Sequence, residues 1–139
     1  MIAYLDASVL VALFTNDALT ARADTYLRTH TPILLVSDFA AAEFASAVSR
    51  RVRMAELTGA EAQIVFTNFD AWTARATQRI GISTADIRAA EAFLRRLDLT
   101  LRTPDALNIA IAERAAATLV TFDKKMATCA RTLGVVVAG

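Results

Sequence analysis

Apolar residues along this chain fall into two alternating patterns. Short, near-continuous apolar runs, such as Ile2-Ala3-Tyr4-Leu5, Ile33-Leu34-Leu35-Val36 and Thr118-Leu119-Val120-Thr121-Phe122, are separated by longer stretches with helical spacing. The short runs lack the in–out alternation of a half-exposed strand and have the character of strands buried on both faces. They predict strands at residues 2–5, 33–36 and 118–122, with a weaker one at 77–80 and a closing one at 135–137. Between them the pattern predicts helices at 8–14 and 19–28, the latter after the polar break Thr15-Asn16-Asp17. A third, capped by Ser37 or Asp38, runs to residue 53. Thr58-Gly59-Ala60-Glu61 has capping-box spacing and opens a helix to about residue 72. Ser83-Thr84-Ala85-Asp86 opens another, with Ile87, Ala90, Leu94 and Leu97 on one face. Thr103-Pro104 has the form of an N-cap followed by proline at the first helical position, for a helix to about 116. The last helix, 124–133, ends at Gly134.

Strands alternating with helices imply an α/β sandwich of three layers, with a mostly parallel sheet of about five strands flanked by helices. The 139 residues hold only four glycines and two prolines, with no linker, repeat or low-complexity segment, so one domain over 1–139 with short connections is expected. Sheets of this type bind ligands beyond the carboxyl ends of their strands.

Acids stand at those ends. Asp6 follows the first strand and Asp123 follows the run 118–122, while Asp105 lies in the first turn of the helix leading into that run. Glu43 sits in an alanine-rich helical stretch, Phe39-Ala40-Ala41-Ala42-Glu43-Phe44-Ala45, which is too apolar for an outer helix face. Each acid has a structural alternative. Asp6 and Asp123 can cap the helices that follow them, Asp105 can sit at the positive end of a helix dipole, and Glu43 can face solvent. Taken jointly, the four fit one compact site. Gathered carboxylates repel one another unless a cation joins them, and an all-oxygen set suits Mg²⁺ or Mn²⁺ rather than zinc. Such a site suits phosphodiester hydrolysis. Ser8, two residues after Asp6, is placed either to orient a carboxylate or water or simply to serve as a polar residue in the first turn of the helix. No Gly-rich phosphate loop or dinucleotide fingerprint is present, and Asp6-Ala7-Ser8 lacks the second aspartate of an aspartyl-phosphate phosphatase.

Composition narrows the setting. The chain is 55% hydrophobic, which fills a core and argues against disorder. Yet no apolar run nears the roughly 20 residues of a membrane span. The start, Met1 to Asp6, has no basic region and is not read as a signal peptide, and the lone Cys129 is read as a small buried residue, so a cytoplasmic location is expected. The net charge of +1 provides no overall field, but the bases are arginine except for Lys124 and Lys125, with clusters at Arg50, Arg51, Arg53 and at Arg95, Arg96. Those clusters are either phosphate forks or ordinary partners of helix C-termini. His30 lies in a polar stretch and is read as solvated.

The segments Tyr4-Leu5-Asp6-Ala7-Ser8, Glu43 in its alanine-rich helix, Leu101-Arg102-Thr103-Pro104-Asp105-Ala106-Leu107, Leu119-Val120-Thr121-Phe122-Asp123 and Leu133-Gly134-Val135 together resemble the PIN domain, most closely its VapC-type toxin branch. The resemblance implies a five-stranded parallel sheet and RNA cleavage with Mg²⁺ or Mn²⁺. It implies Asp6, Glu43, Asp105 and Asp123 as the catalytic acids. Asp6, Asp105 and Asp123 would be metal ligands, Glu43 would act on the attacking water, and Ser8 would be a supporting hydroxyl. It further implies a homodimer neutralised by a cognate antitoxin. Two positions depart from the pattern. Asn108 stands where many toxin relatives have histidine; its amide can hydrogen-bond a carboxylate but cannot shuttle a proton. Ala7 replaces a common hydroxyl residue. The expected function is thus an Mg²⁺-dependent endoribonuclease toxin, with a non-catalytic RNA- or protein-binding module as the alternative. A DNA flap nuclease fits less well, for want of room for its extra helical segments. The helices at 39–53 and 58–72, with Phe39, Phe44, Phe66, Phe69 and Trp72, are the expected dimer and antitoxin surface unless those aromatics fill the core.

Overall fold

The structure is a computed structural model describing residues 1–139. Its elements follow in the order β1 (Ile2–Leu5), α1 (Ala7–Phe14), α2 (Thr20–His30), β2 (Ile33–Ser37), α3 (Asp38–Arg53), α4 (Gly59–Ala76), β3 (Thr77–Ile80), α5 (Thr84–Arg95), α6 (Thr103–Arg114), β4 (Thr118–Val120), α7 (Lys124–Thr132) and β5 (Val137–Ala138). The five strands form one sheet in the order β3-β2-β1-β4-β5, and every pairing is parallel. β1 is central, with Tyr4 paired to Leu35 on one side and to Leu119 on the other. Ala3, Tyr4 and Leu5 are fully buried, as the unbroken apolar run predicts.

The connections set the layers. From β1 the chain steps outward to β2 and β3, then crosses back to β4 and continues to β5. Right-handed crossovers running in opposite directions place their helices on opposite faces. The packing agrees: α1 contacts α2, α3 and α4, whereas α6 contacts α5 and α7. The switch in direction falls between β1 and β4, so a crevice opens beyond their carboxyl ends. Asp6 and Asp123 follow those two strands.

Several boundaries differ from the sequence pattern for identifiable reasons. The run 118–122 is strand only over Thr118–Val120, because Thr121 and Phe122 turn towards the site and bond Ser8 and Asp123. The closing strand is Val137–Ala138 rather than 135–137. Gly134, at φ +85°, takes the left-handed conformation that favours glycine, and Val135 N–H bonds the Ala130 carbonyl to finish α7. α4 runs to Ala76, past the predicted end at 72, and leads straight into β3. The N-cap of α6 is Arg102, not Thr103, so Thr103 and Pro104 both lie inside the first turn. The Asp105 carboxylate reaches back to the Arg102 N–H at 3.1 Å, which starts the helix without a hydroxyl cap.

The expected dimer aromatics pack within the monomer. Phe44 and Phe69 are buried, Phe39, Phe66 and Trp72 pack partly buried against the same core, and Phe14 of α1 meets Phe44, Phe69 and Trp72 edge-on at 5.2–6.0 Å. The apolar run around Glu43 is not wholly inward either, since Ala42 and Ala45 are exposed. Alanine tolerates either environment, so it is weak evidence for a helix face. Cys129 is buried, and His30 lies exposed at the end of α2, stacked on Tyr26. α6 is buried from Asp105 to Ala112, and that stretch is apolar all round apart from Asp105 and Asn108.

Candidate active site

Asp6 lies at the switch point, 2% exposed, and caps α1 through a bond from Val9 N–H to Oδ1. Ser8 Oγ donates to the same oxygen at 2.6 Å, and Thr121 Oγ1 donates to Oδ2 at 2.5 Å. Both hydroxyls act twice. Ser8 Oγ accepts from Phe122 N–H and Thr121 Oγ1 accepts from Asp123 N–H, each at 3.0 Å. The two hydroxyls therefore tie the β1–α1 junction to the β4–α7 junction through the Asp6 carboxylate. Burial pushes that carboxyl above its ordinary range, opposed by the bonds from Ser8, Thr121 and Val9, and the charge of Asp123 raises it further. No basic side chain pairs with it.

Asp123 caps α7 through Met126 N–H at 3.0 Å. Asp105 is 8% exposed; besides its bond to Arg102 N–H, it lies 3.7 Å from the Arg102 guanidinium. Glu43, half-buried on α3, accepts a 2.8 Å bond at Oε1 from Asn108 Nδ2. Burial raises its carboxyl, the Asn108 bond opposes this, and the charges of Asp6 and Asp105 add to the rise. Asn108 thus reaches Glu43 rather than Asp105, its neighbour one turn away.

The four acids share one end of the sheet: the charge of Asp123 acts on Asp6, and those of Asp6 and Asp105 act on Glu43. No three of them close into a preformed metal-binding cluster. The donor chemistry nonetheless fits a hard cation: the acids contribute only carboxylate oxygens, and the deepest one is buried without a counter-charge. Both capping duties expected of Asp6 and Asp123 are present, and capping leaves each carboxylate at the same end of the sheet.

A cleft of about 780 Å³ runs from Glu43, Arg102 and Pro104 along α3 to Arg50 and Arg53. Arg51 of the same cluster bonds Thr15 Oγ1 and lies 3.6 Å from Asp17, whereas Arg95 and Arg96 pair with Glu91 and Asp98.

The parallel-sheet fold agrees with whole-chain comparison. The PIN domain family model matches residues 3–131. The chain belongs to the PIN domain family. No curated protein sequence matches it. The fold is similar to that of VapC20 from Mycobacterium tuberculosis, described as a sarcin-ricin loop cleaving toxin, with 17% identity, a TM-score of 0.73, and coverage of 91% of this chain and 93% of that one. FitAcB from Neisseria gonorrhoeae gives 16% identity and a TM-score of 0.76, covering 100% and 97%. VapBC2 from Rickettsia felis, bound to a promoter DNA fragment, gives 18% and 0.72, covering 99% and 98%. At these identities the likeness is one of fold.

Three further residues contact the candidate site or line its cleft without being expected there. Thr121, expected as a strand residue within the motif ending at Asp123, bridges Asp6 and Asp123. Tyr4, expected only as part of the first strand and its motif, donates from its hydroxyl to Asn108 Oδ1 at 2.6 Å, and burial pushes that hydroxyl far above its ordinary range. Arg102 was quoted only within a motif, yet it stands exposed beside Asp105 and lines the cleft. A hydroxyl two residues before Asp123 was the available signal for Thr121; nothing in the sequence signals the Tyr4 contact.

Proposed function

We propose that this PIN domain is a divalent-metal-dependent endoribonuclease acting as the toxin of a toxin–antitoxin pair. The observation that carries the reading is the Asp6 carboxylate: buried at the switch point, joined by acids from three other elements, and without a cationic partner. Such a carboxylate costs stability unless a cation accompanies it. Asp6, Asp105 and Asp123 are the residues that would hold Mg²⁺ or Mn²⁺. When bound, the ion supplies positive charge to offset the phosphoryl oxygens and acidifies a water.

The chain's own groups account for the rest. Glu43 has Oε1 engaged by Asn108 and Oε2 free of protein partners, so Oε2 can orient a water and accept its proton as that water attacks phosphorus, while the P–O bond to the leaving ribose oxygen breaks and that oxygen takes a proton from solvent. Ser8 and Thr121 hold both Asp6 oxygens in place. Arg50, Arg53 and Arg102 line the adjoining cleft with guanidinium forks suited to phosphate. RNA would lie there by its backbone, in single-stranded form.

The toxin role rests on the fold shared with structures described as VapC20, VapBC and FitAB proteins, several solved as complexes. A cognate antitoxin is the partner this implies, and a homodimer the expected assembly. No helix is long and apolar enough to cross a membrane.

RNA cleavage by the purified chain, with Mg²⁺, with EDTA, and after Asp6→Asn, tests the mechanism. Cleavage is expected in the first condition alone. Activity that survives both chelation and the substitution would overturn it, and RNA binding without cleavage in Mg²⁺ or Mn²⁺ would establish the binding-module alternative. The assembly is tested by mass in solution, where a dimer is expected at micromolar concentration.

A further inference from the structure

Four buried or half-buried polar side chains form a continuous hydrogen-bonded line across the carboxyl edge of the sheet. Ser37 at the end of β2 and Tyr4 in β1 are fully buried, Asn108 in α6 is 2% exposed, and Glu43 on α3 faces the cleft. Proton counting fixes the direction of the line. Tyr4 has one hydroxyl proton and directs it to Asn108 Oδ1 at 2.6 Å, so the 2.7 Å contact with Ser37 is a donation from Ser37 to the tyrosine oxygen. Ser37 Oγ in turn accepts from Ala40 N–H at 2.8 Å, the cap of α3. With its oxygen held by Tyr4, the Asn108 amide must present its NH₂ to the other side. There it donates to Pro104 O at 3.0 Å and to Glu43 Oε1 at 2.8 Å. The reversed amide would set its oxygen against the Pro104 carbonyl and the Glu43 carboxylate, with no donor on that side.

We propose that Tyr4 and Asn108 are positioning residues for Glu43, with the Tyr4 hydroxyl locking the Asn108 amide so that its NH₂ holds Glu43 Oε1 and leaves Oε2 as the one free oxygen. Apolar residues would fill this space without the cost of burying three polar groups. Every bond in the line is satisfied, and the line ends on the only member that faces the cleft. Glu43 hangs on a flexible side chain from one layer, while its anchor comes from α6 in the other. Without Asn108 it has no hydrogen-bond partner. The role assigned to Glu43 rests on the ribonuclease reading, but the orientation of the amide does not.

Two measurements on the full chain separate those dependences. The first is cleavage of a single-stranded oligoribonucleotide with Mg²⁺. Tyr4→Phe, which removes only the hydroxyl, should lower kcat about tenfold with KM unchanged, since misplacing a reacting group by a fraction of an ångström costs rate rather than binding. Asn108→Asp, of equal volume, turns the donor facing Glu43 into an acceptor and should cost about a hundredfold. Wild-type kcat in Tyr4→Phe, or a loss carried by KM, would overturn the proposal. The second is NMR of the Asn108 side-chain amide, identified by its disappearance in Asn108→Asp. In the wild type its two protons should be distinct and slow to exchange with solvent. Tyr4→Phe should speed that exchange about tenfold or more, and Glu43→Gln should shift one of the two signals. An exchange rate unchanged by Tyr4→Phe would overturn the proposal whether or not the protein cleaves RNA, whereas a wild type with a locked amide and no cleavage would fault only the ribonuclease reading.

Discussion

Asp6 holds the sharpest conflict in the molecule. Its oxygens are satisfied by two hydroxyls and a backbone N–H, yet none of these carries a charge to balance its own. Because burial raises its folded-state pKa above the unfolded value, ionisation at neutral pH disfavours folding, and that cost disappears as pH falls below the unfolded value of about 3.9. Asp6→Asn keeps the cap on Val9 and removes the charge. The variant is therefore expected to unfold at a higher temperature than the wild type in EDTA, while losing at least about a hundredfold in cleavage. Added Mg²⁺ should raise the wild-type midpoint and leave that of the variant unmoved, since only a ligand bound to the folded state stabilises it. A thermal melt of both proteins with and without Mg²⁺ checks all three stability expectations. Thr121 has the opposite character. Thr121→Val preserves shape but leaves Asp6 Oδ2 and Asp123 N–H without their shared partner, an expected loss of about 1–3 kcal/mol measured by urea unfolding.

Among the elements, α5 and α6 are joined by a second buried acid far removed in role from the first. Asp86, 1% exposed, completes a capping box with Ser83 and takes a two-pronged bond from Arg114 at 2.7 and 2.9 Å. Arg114 also donates to Gly81 O, so one guanidinium binds the end of α6 to the start of α5. Burial alone would raise the Asp86 carboxyl, but the Arg114 and Ser83 bonds hold it below the ordinary carboxylate range. A depressed pKa contributes stability above the unfolded value of about 3.9, and the contribution is lost as pH falls through the folded value. Asp86→Ala is expected to cost about 2 kcal/mol at pH 7, less than a fully buried pair because Arg114 is 37% exposed. The penalty should shrink below about pH 4, where the wild type loses the same interaction. Denaturant unfolding at pH 7 and pH 3 tests both the size and the sign.

On the scale of the whole molecule, net charge and local charge part company. The chain carries +1 overall, yet the cleft beside Glu43 is lined by Arg50, Arg51, Arg53 and Arg102, against the acids Glu43 and Glu56. Single-stranded RNA bound through phosphates releases about 0.7 counterions per contact, so affinity should fall steeply with salt. Arg50→Ala combined with Arg53→Ala should weaken binding of an oligoribonucleotide and flatten the log–log salt slope by about 1.4 if both contact phosphate. An unchanged slope in a fluorescence-anisotropy titration would remove the cleft from the substrate path. Arg51 lines the same cleft but is engaged by Thr15 and Asp17, so its replacement should flatten the slope less.

Local pattern was enough for the α/β class, the buried β1, the weak β3, the capping boxes at Thr58 and Ser83, and the acids at strand ends. Each follows from interactions between residues a few positions apart, or from an apolar run long enough to declare burial on both faces. Strand ends were less legible. Residues 121–122 are as apolar as a strand but are drawn aside by bonds to Ser8 and Asp123, and the last strand moved because helix capping claimed Gly134 and Val135 first. Only the assembled fold decided which polar atoms meet. Tyr4 and Asn108 are 104 residues apart, and Thr121 is 115 from Asp6. Those contacts exist because β1 sits between β2 and β4 and because α3 and α6 approach the same crevice from opposite layers. Short-range chemistry places an acid at the end of a strand; long-range packing determines whether it is left as a cap, paired with an arginine as Asp86 is, or buried without a counter-charge as Asp6 is.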